Sequence, residues 1–176
     1  KQMKLIIDGF GGDNAPEVTV RAAAEYVKKS DCEIIIVGDE EKLKAVFAEK
    51  GLSTERIHIA HASEVIGNNE KPAVAVRTKK DASVVVAAKL LREGKGDAFV
   101  SAGSTGALLS GATLIVKRVK GIRRAAMGPA MPNKAGGKTI LLDCGANAEC
   151  TPEFLLQFGI IGSLYAKKSL GIANPR

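Results

Sequence analysis

Residues 97–111, D-A-F-V-S-A-G-S-T-G-A-L-L-S-G, have the residue types and spacing of an anion-binding loop. Residues 97–101 predict a short buried strand, Gly103 and Gly106 bracket a tight turn, and the run from Ala107 predicts a helix. Backbone N–H groups at a helix start lack intrahelical acceptors and attract anions. Three hydroxyl groups add donors: Ser101, Ser104 and Thr105. The stretch predicts a phosphate-binding loop. In the alternative interpretation, the glycines only allow close packing and a hydroxyl only caps the helix.

Polar residues also follow three other predicted strands. These strands end at Asp8, Ala60 and Asp143, and the loops after them are rich in Gly, Ser, Asn or charged residues. Because the carboxyl ends of parallel strands lie at one edge of a sheet, we expect these loops and the loop after Ser101 to converge on one crevice.

Strand and helix patterns alternate along the chain. Strands are predicted over residues 4–8, 33–37, 57–60, 97–101 and 138–143, and helices from near residue 16, over 40–50, over 82–92, from 107, and from 152 to about 168. Residues 125–132 predict an edge strand or an extended connection, and the long polar loop 61–72 suggests a functional segment. This alternation predicts a single α/β domain whose mostly parallel sheet is covered by helices on both faces.

Composition limits the classes of function. The 176 residues carry a net charge of +7, which favours an acidic or phosphorylated partner, but only 4% are aromatic, which argues against binding of nucleic acid. Three cysteines without zinc-type spacing suggest neither a metal site nor disulfides, and so a reducing cytoplasm. No apolar run is long enough to span a membrane. The basic cluster 117–124 is either a solvated helix end or a docking patch for an acidic partner.

The first glycine turn only partly matches a dinucleotide fingerprint. The spacing of Gly9 and Gly11 requires a third small residue at position 14, which is Asn14. Asp8 and Asp13 would also place negative charge beside a pyrophosphate. A nucleotide site is therefore the less favoured interpretation.

Four motifs in register resemble the PlsX-type phosphate acyltransferases, a family of fatty acid and phospholipid synthesis proteins. D-G-F-G-G-D-N-A-P at 8–16 resembles the family's D-A-M-G-G-D-x-A-P, and S-A-G-S-T-G-A-L at 101–108 resembles S-A-G-N-T-G-A-L. The segments 61–81, with H-A-S-E-V-I and K-P-x-x-A-V-R-x-K-K-D, and 141–147, L-L-D-C-G-A-N, also match. Among the departures, only Ser104 in place of Asn changes a presumed ligand loop.

The resemblance implies reversible transfer of a long acyl group from acyl carrier protein to inorganic phosphate, giving an acyl phosphate for phospholipid synthesis. It implies a three-layer α/β/α fold like that of phosphate acetyltransferase and isopropylmalate dehydrogenase, with no metal or organic cofactor. It also implies a cytoplasmic homodimer that is peripheral at the inner membrane surface through parts outside these residues. The family continues beyond the matched region, so we expect residues 1–176 to be the amino-terminal half of a longer chain.

The resemblance also guides the choice of site residues. The turn from Gly103 to Gly106, with the three hydroxyls named above, is expected to hold phosphate. Charge partners and polar contacts are expected from Arg77, Lys79, Lys80 and Asn147, while His61 is either an acid, base or oxyanion donor or a hydrogen-bonded loop anchor. Five residues are expected to orient the loops: Asp8, Gly11, Gly12, Asp13 and Asp143.

Three alternatives stay open. A dinucleotide-dependent dehydrogenase on a related fold would use the first glycine turn. A basic module that docks acyl carrier protein without catalysis would use the cluster at 117–124. Within the acyltransferase hypothesis, Cys144 near His61 is an alternative nucleophile, although direct attack by phosphate requires no protein nucleophile.

Overall fold

The computed structural model describes residues 2–147 and 149–175 and divides into two units, one ending at Lys117 and the other starting at Arg118. A four-stranded parallel sheet lies at the centre of the first unit. Its strands are β1 (Lys4–Asp8), β2 (Glu33–Gly38), β3 (Ile57–His61) and β4 (Ala98–Val100). The order β3-β2-β1-β4 places the reversal of strand order between β1 and β4, and ligands bind at such reversals in open α/β sheets.

The described residues of the first unit form five α-helices: α1 (Glu17–Lys29), α2 (Glu40–Glu49), α3 (Pro72–Thr78), α4 (Ser83–Arg92) and α5 (Thr105–Gly111). A π-helical segment, Ala112–Val116, continues α5. Local chemistry sets several helix starts: the Asp39 side chain accepts from the N–H of Lys42 before α2, and Pro72 occupies the first turn of α3.

Helices cover both faces of the sheet. On one face, α1 and α2 pack on the buried β2 residues Ile34 and Ile36. On the other, Ala87 of α4 packs against Ile6 and Val37. This alternation along the strands produces the three-layer α/β arrangement expected from the sequence.

In the second unit, the residues that the structure describes form a two-stranded antiparallel sheet and one long helix. Strands β5 (Ala130–Pro132) and β6 (Lys138–Ile140) are joined by a turn in which the Asn133 carboxamide oxygen accepts from the N–H groups of Ala135 and Gly137. Helix α6 (Pro152–Leu170) starts where the Thr151 side chain accepts from the N–H of Phe154, and it ends at Gly171 with a φ of +68°.

The structure confirms most predicted elements of the first unit and differs from the sequence-based expectation in three places, two in the first unit and one in the second. Helix α3 was missed because its seven residues are shorter than the window needed to recognise helical periodicity. The helix expected from residue 107 begins at Thr105. The strand expected over 138–143 is shorter and pairs antiparallel with β5, so Asp143 does not end a strand of the parallel sheet. The physical reason is the local Asn-Lys-Ala-Gly-Gly turn, which favours a hairpin over a crossover connection.

Candidate functional site

A cleft of about 120 Å³ opens at the carboxyl ends of β1 and β4, where the strand order reverses. It is lined by the loop after β1, residues 65–68, the start of α4, and the loop after β4. Sites for drug-sized ligands measure roughly 300–1,000 Å³. The size of the cleft therefore suits a small group such as an inorganic anion.

A chain of hydrogen bonds joins the two glycine loops across this cleft. The N–H of Gly103 donates to Ser101 Oγ (3.1 Å), and the Ser101 hydroxyl donates to Asp8 Oδ2 (2.8 Å). The other carboxylate oxygen of Asp8 accepts from the N–H of Phe10 at 3.3 Å. Because the single hydroxyl proton of Ser101 is used by Asp8, Ser101 orients the loops in this structure and has no proton left for an anion.

The two loops approach too closely for side chains. A Cβ on Gly11 would lie 2.8 Å from both Asp8 Oδ2 and Ser101 Oγ and 2.9 Å from the backbone nitrogen of Gly103. Gly12 has a φ of +109°, a conformation that residues with a Cβ rarely adopt. The close approach at Gly11 and the backbone conformation of Gly12 therefore require glycine at both positions. Asp13, from the same loop, is exposed and lines the cleft.

Ser104 lines the cleft and caps α5, since its side chain accepts from the N–H of Ala107 at 3.3 Å. Its own hydroxyl proton is free to donate elsewhere. The neighbouring Thr105 is exposed, and neither it nor Gly106 lines the cleft. A Cβ on Gly106 would lie 2.6 Å from Pro72 Cγ. Gly106 is therefore required where α5 meets the start of α3, as in the close-packing interpretation of this glycine.

The two buried polar or charged side chains among the described residues both line the cleft. They are Asp8 and Ser83, which are 4% and 1% exposed. The backbone N–H of Ser83 donates to the carbonyl of Glu64 at 2.9 Å, whereas no described residue forms a hydrogen bond with its hydroxyl. Among the described residues no fully buried side-chain nitrogen or oxygen lacks a partner, so the Ser83 hydroxyl keeps some access to the cleft that it lines. Ser83 was not among the expected site residues, because its Val-rich neighbours indicated only a buried helix.

Residues 65–68 form a wall of the cleft that the sequence indicated only as a long polar loop. Lys79, expected to be a charge partner, binds this segment: its Nζ donates to the carbonyl of Val65 (2.9 Å) and to Glu70 Oε1 (2.8 Å). Glu70 Oε1 also accepts from the N–H of Gly67 at 2.8 Å. The Lys79 ammonium, acting most strongly, and the N–H of Gly67 lower the pKa of Glu70.

The other expected charged residues do not line the cleft. His61 ends β3, and its Nδ1 accepts from the N–H of Glu40 at the start of α2 (3.3 Å). This is the geometry of the loop-anchor interpretation. Arg77 is exposed on the last turn of α3, where no described residue pairs with it by hydrogen bond or ion pair. Lys80 is exposed, and its backbone carbonyl accepts from Lys89 Nζ.

Asp143 and Asn147 form a network within the second unit. Asn147 Nδ2 donates to Asp143 Oδ1 (2.9 Å) and to the carbonyl of Ala125 (3.1 Å), and Cys150 Sγ lies 3.5 Å from Asp143 Oδ2. Burial raises the pKa of the Cys150 thiol, and the hydrogen bond to Asp143 raises it further. Cys144 is an exposed free cysteine.

The end of the basic cluster is bound to α6. Arg123 forms an ion pair with Glu153 (3.0 Å) and its N–H donates to Gln157 Oε1, while the Arg124 guanidinium lies 5.5 Å from the centre of the Phe154 ring. These two arginines therefore contribute to the packing of the second unit. Lys120 is exposed, and no described residue pairs with it.

Two kinds of feature are absent from the described residues. No group of three or more His, Cys, Asp or Glu side chains is arranged to hold a metal ion. Among the same residues, no helix combines the length and apolar character needed to cross a membrane.

Known proteins resemble this chain in both sequence and structure. Phosphate acyltransferase of Clostridioides difficile (strain 630) is 45% identical over 99% of this chain and 51% of its own length, and phosphate acyltransferase of Alkaliphilus oremlandii is 49% identical over 99% and 52%. The chain thus spans about half the length of these curated relatives. A phosphotransacetylase from Streptococcus pyogenes superposes with a TM-score of 0.71 at 22% identity, covering 94% of this chain and 54% of that one. The EutD phosphotransacetylase from Staphylococcus aureus gives a TM-score of 0.64 at 21% identity, with 97% and 54% covered.

At these identities the phosphotransacetylases show a shared fold, which confirms the expected fold class. A family model described as "Fatty acid synthesis protein" matches residues 3–176, which is nearly the whole chain. The resemblance expected from the four motifs is confirmed, and the chain belongs to the fatty acid synthesis protein family.

Proposed function

We propose that this chain supplies the phosphate-binding part of an acyltransferase that moves an acyl group from acyl carrier protein to inorganic phosphate. The observation that carries the proposal is the cleft of about 120 Å³, in which the two buried polar side chains of the described residues meet two glycine loops. Membership of the fatty acid synthesis protein family and the relatives named phosphate acyltransferase support the same reaction.

The reaction requires little chemistry from the protein. An oxygen of bound hydrogen phosphate attacks the thioester carbonyl carbon, and the C–S bond breaks with its electron pair leaving on sulfur. The thiolate takes up the proton that the phosphate loses, so that acyl phosphate and a thiol are formed. A thiol has a pKa of about 8.5, so the thiolate leaves without a dedicated general acid. The main tasks are to hold the phosphate in place and to stabilise the oxyanion that forms on the carbonyl.

The geometry favours a division of roles among the cleft residues. In our proposal, the hydroxyls of Ser104 and Ser83 donate to phosphate, because each lines the cleft with a proton to give. Asp8, Ser101 and Gly103 hold the two glycine loops in register. We keep Arg77 and Lys80 as proposed charge partners of phosphate, although both side chains are exposed outside the cleft lining in this structure.

We also propose that the chain is the amino-terminal half of a longer polypeptide and that the remainder covers α6. Four residues form an exposed apolar surface on this helix: Leu155, Leu156, Ile160 and Leu164. A helix that is apolar on most sides is normally buried. The curated relatives extend to about twice the length of the matched region, which provides a partner of the required size. A homodimer and contact with a membrane surface belong to the same proposal.

The activity is tested by joining this chain to the part of the Alkaliphilus oremlandii relative that lies beyond the matched region. Incubation with acyl-loaded acyl carrier protein and ³²P-labelled phosphate should give a labelled product that is extracted into organic solvent. A reaction without acyl donor and one without fused protein are the controls. Absence of labelled acyl phosphate from a folded fusion protein would contradict the proposal.

The alternatives receive less support. Neither the family match nor the relatives described above support the hypothesis of a dinucleotide-dependent dehydrogenase. A role in docking acyl carrier protein is compatible with catalysis, and the exposed Lys120 is the better test position, because Arg123 and Arg124 are bound to α6. Lys120→Glu should weaken use of the acidic carrier protein and reduce its salt dependence.

A further inference from the structure

The wall segment, residues 63–70, is held by hydrogen bonds at both of its ends, and between them Ile66 is buried in an apolar cluster. At its start, the N–H and the hydroxyl of Ser63 both donate to Asp81 Oδ2, at 2.8 and 2.6 Å. The N–H of Glu64 donates to the carbonyl of Asp81 at 3.2 Å. At its end, the wall segment is held by Lys79 and Glu70 through the contacts described above.

The ammonium group of Lys79 binds acceptors within the wall segment. Two of the three protons of its ammonium group are used, by the carbonyl of Val65 and by Glu70. The Glu70 carboxylate lies 2.8 Å from Lys79 Nζ and balances its charge. Because the pair is neutral as a whole, it attracts a nearby anion much less than a free lysine would.

We propose that Lys79 and Glu70 are positioning residues that keep residues 65–68 in place as a wall of the anion cleft. This inference rests on the proposed function and specifies how that site is assembled. The shared acceptor is the central feature, because Glu70 Oε1 accepts hydrogen bonds from both the Lys79 ammonium and the N–H of Gly67. Removal of either the Lys79 or the Glu70 side chain therefore leaves the segment incompletely held.

The energetic reason is conformational entropy. Gly67 and Asn68 are exposed, and a Cβ on Gly67 would meet one described atom within 4 Å, Glu70 Oε1 itself. Little packing therefore fixes this part of the wall segment. If the pair is broken, the segment gains freedom that an anion must remove on binding, which weakens affinity.

The test is a double-mutant cycle with Lys79→Met, Glu70→Gln and both together. Hydrogen exchange of peptides covering residues 63–70 reports the order of the segment, and titration with inorganic phosphate reports the site. Each single variant should speed exchange at Gly67 on the order of tenfold. Each should also weaken phosphate binding by about three- to tenfold, and the double variant should be no worse than the singles.

Two further variants sharpen the comparison. Lys95→Met removes a cation from an ion pair of similar length, Lys95 Nζ to Glu93 Oε2 at 2.9 Å, outside the cleft lining, and should change neither readout. Lys79→Arg retains charge and donors and should restore part of the protection from exchange.

Each result bears on a separate claim. Unchanged exchange in both single variants overturns the positioning role even if phosphate binds normally. Additive losses of phosphate affinity without a change in exchange would show that Lys79 acts directly on the anion. No phosphate binding by the unsubstituted chain contradicts the proposed function, whatever the exchange rates show.

Discussion

At the scale of single residues, the unusual feature is a buried carboxylate in a site proposed for an anion. A negative charge repels phosphate, and the cost of burying one rises as water is excluded. Both oxygens of Asp8 accept hydrogen bonds, one from each glycine loop. The carboxylate therefore serves as the common acceptor that fixes two backbone turns, and the proposed phosphate donors are other groups.

Replacement of Ser101 by Ala tests this framework. The change leaves Asp8 Oδ2 and the N–H of Gly103 without their partner and should reduce the free energy of unfolding by about 1–3 kcal/mol. Urea unfolding measures the loss. Ser169→Ala is the control, at an exposed position of α6 where no described residue forms a hydrogen bond with the serine hydroxyl, and it should change the free energy of unfolding by less than about 0.5 kcal/mol. Equal small losses for both variants would show that the framework contributes nothing.

Ser83→Ala should weaken phosphate binding and leave the stability of the fold nearly unchanged. Because no described residue bonds to the Ser83 hydroxyl, its removal should leave the unfolding midpoint nearly unchanged. Phosphate affinity should fall roughly fivefold or more, as expected for loss of a hydrogen bond to a charged ligand. Isothermal titration with phosphate measures the loss. Normal affinity in this variant would remove Ser83 from the proposed site.

At the scale of elements, the cleft depends on how α3, α4 and α5 pack behind the loops. Pro72 at the start of α3 lies against Gly106 in the first turn of α5. Ala75, Val76, Val84 and Ala107 from the three helices share one buried apolar cluster. Glycine and alanine at these contacts allow the helix starts to approach one another closely.

Gly106→Ala should therefore act on packing. The added Cβ would lie 2.6 Å from Pro72 Cγ, and overpacking of this kind costs about 1–3 kcal/mol. Gly111→Ala, in the same helix, is the matched control: its Cβ would meet Ala88 Cβ at an ordinary 3.7 Å, and the change should be neutral or stabilising by up to about 1 kcal/mol. Thermal unfolding of both variants measures the contrast, and equal stabilities would contradict it.

The stability contributed by the hydrogen bonds from Ser63 to Asp81 should depend on pH. Hydrogen bonds from the hydroxyl of Ser63 and then from its N–H lower the pKa of Asp81 below its ordinary 3.8. A depressed pKa in the folded state gives stability that is present above the ordinary value and is lost as pH falls through the lowered value. Ser63→Ala should therefore destabilise the protein at pH 7 and lose this effect at strongly acid pH. A ¹³C titration of Asp81 should show its pKa rising in the variant.

The sequence predicted the regular elements better than it predicted the contacts of the site. Strand β1 and the turn around Gly11 follow from local patterns, since an apolar run and paired glycines need no partner to be recognised. The role of Lys79 depends on Glu70 and Gly67, whose approach is set by tertiary packing. For the same reason, a lysine near a phosphate loop was expected to bind the anion, whereas the structure pairs it with a carboxylate.

At the scale of the whole molecule, apolar surface is unevenly distributed between the two units. Leu155, Leu156, Ile160 and Leu164 on α6 are each between 50% and 67% exposed. Apolar side chains at this density on one helix mark an interaction surface, in contrast to single exposed residues elsewhere. The described chain therefore carries a surface that favours association.

Leu156→Glu should reduce this association. A charge at the most exposed of the four positions, 67%, opposes burial of the surface against another molecule. Light scattering at increasing protein concentration should show a smaller mean mass for the variant than for the unsubstituted chain. Val18→Glu, at a residue 53% exposed on α1, is the control and should not change the mass. A monodisperse unsubstituted monomer at all concentrations would contradict the expectation.

The central place of β1 in its sheet also sets the order in which the cleft is completed during protein synthesis. Leu5 of β1 pairs with Ile34 on one side and with Ala98 on the other. At ribosomal rates, the stretch between residues 34 and 98 takes roughly 3–13 s to make. Because β2 leaves the ribosome before β4 does, a nascent chain can pair β1 with β2 and cover them with α1 while the other edge of β1 is still open. The glycine turn after β1 therefore precedes its counterpart after β4, and the anion cleft is among the last parts of the first unit to form on the ribosome.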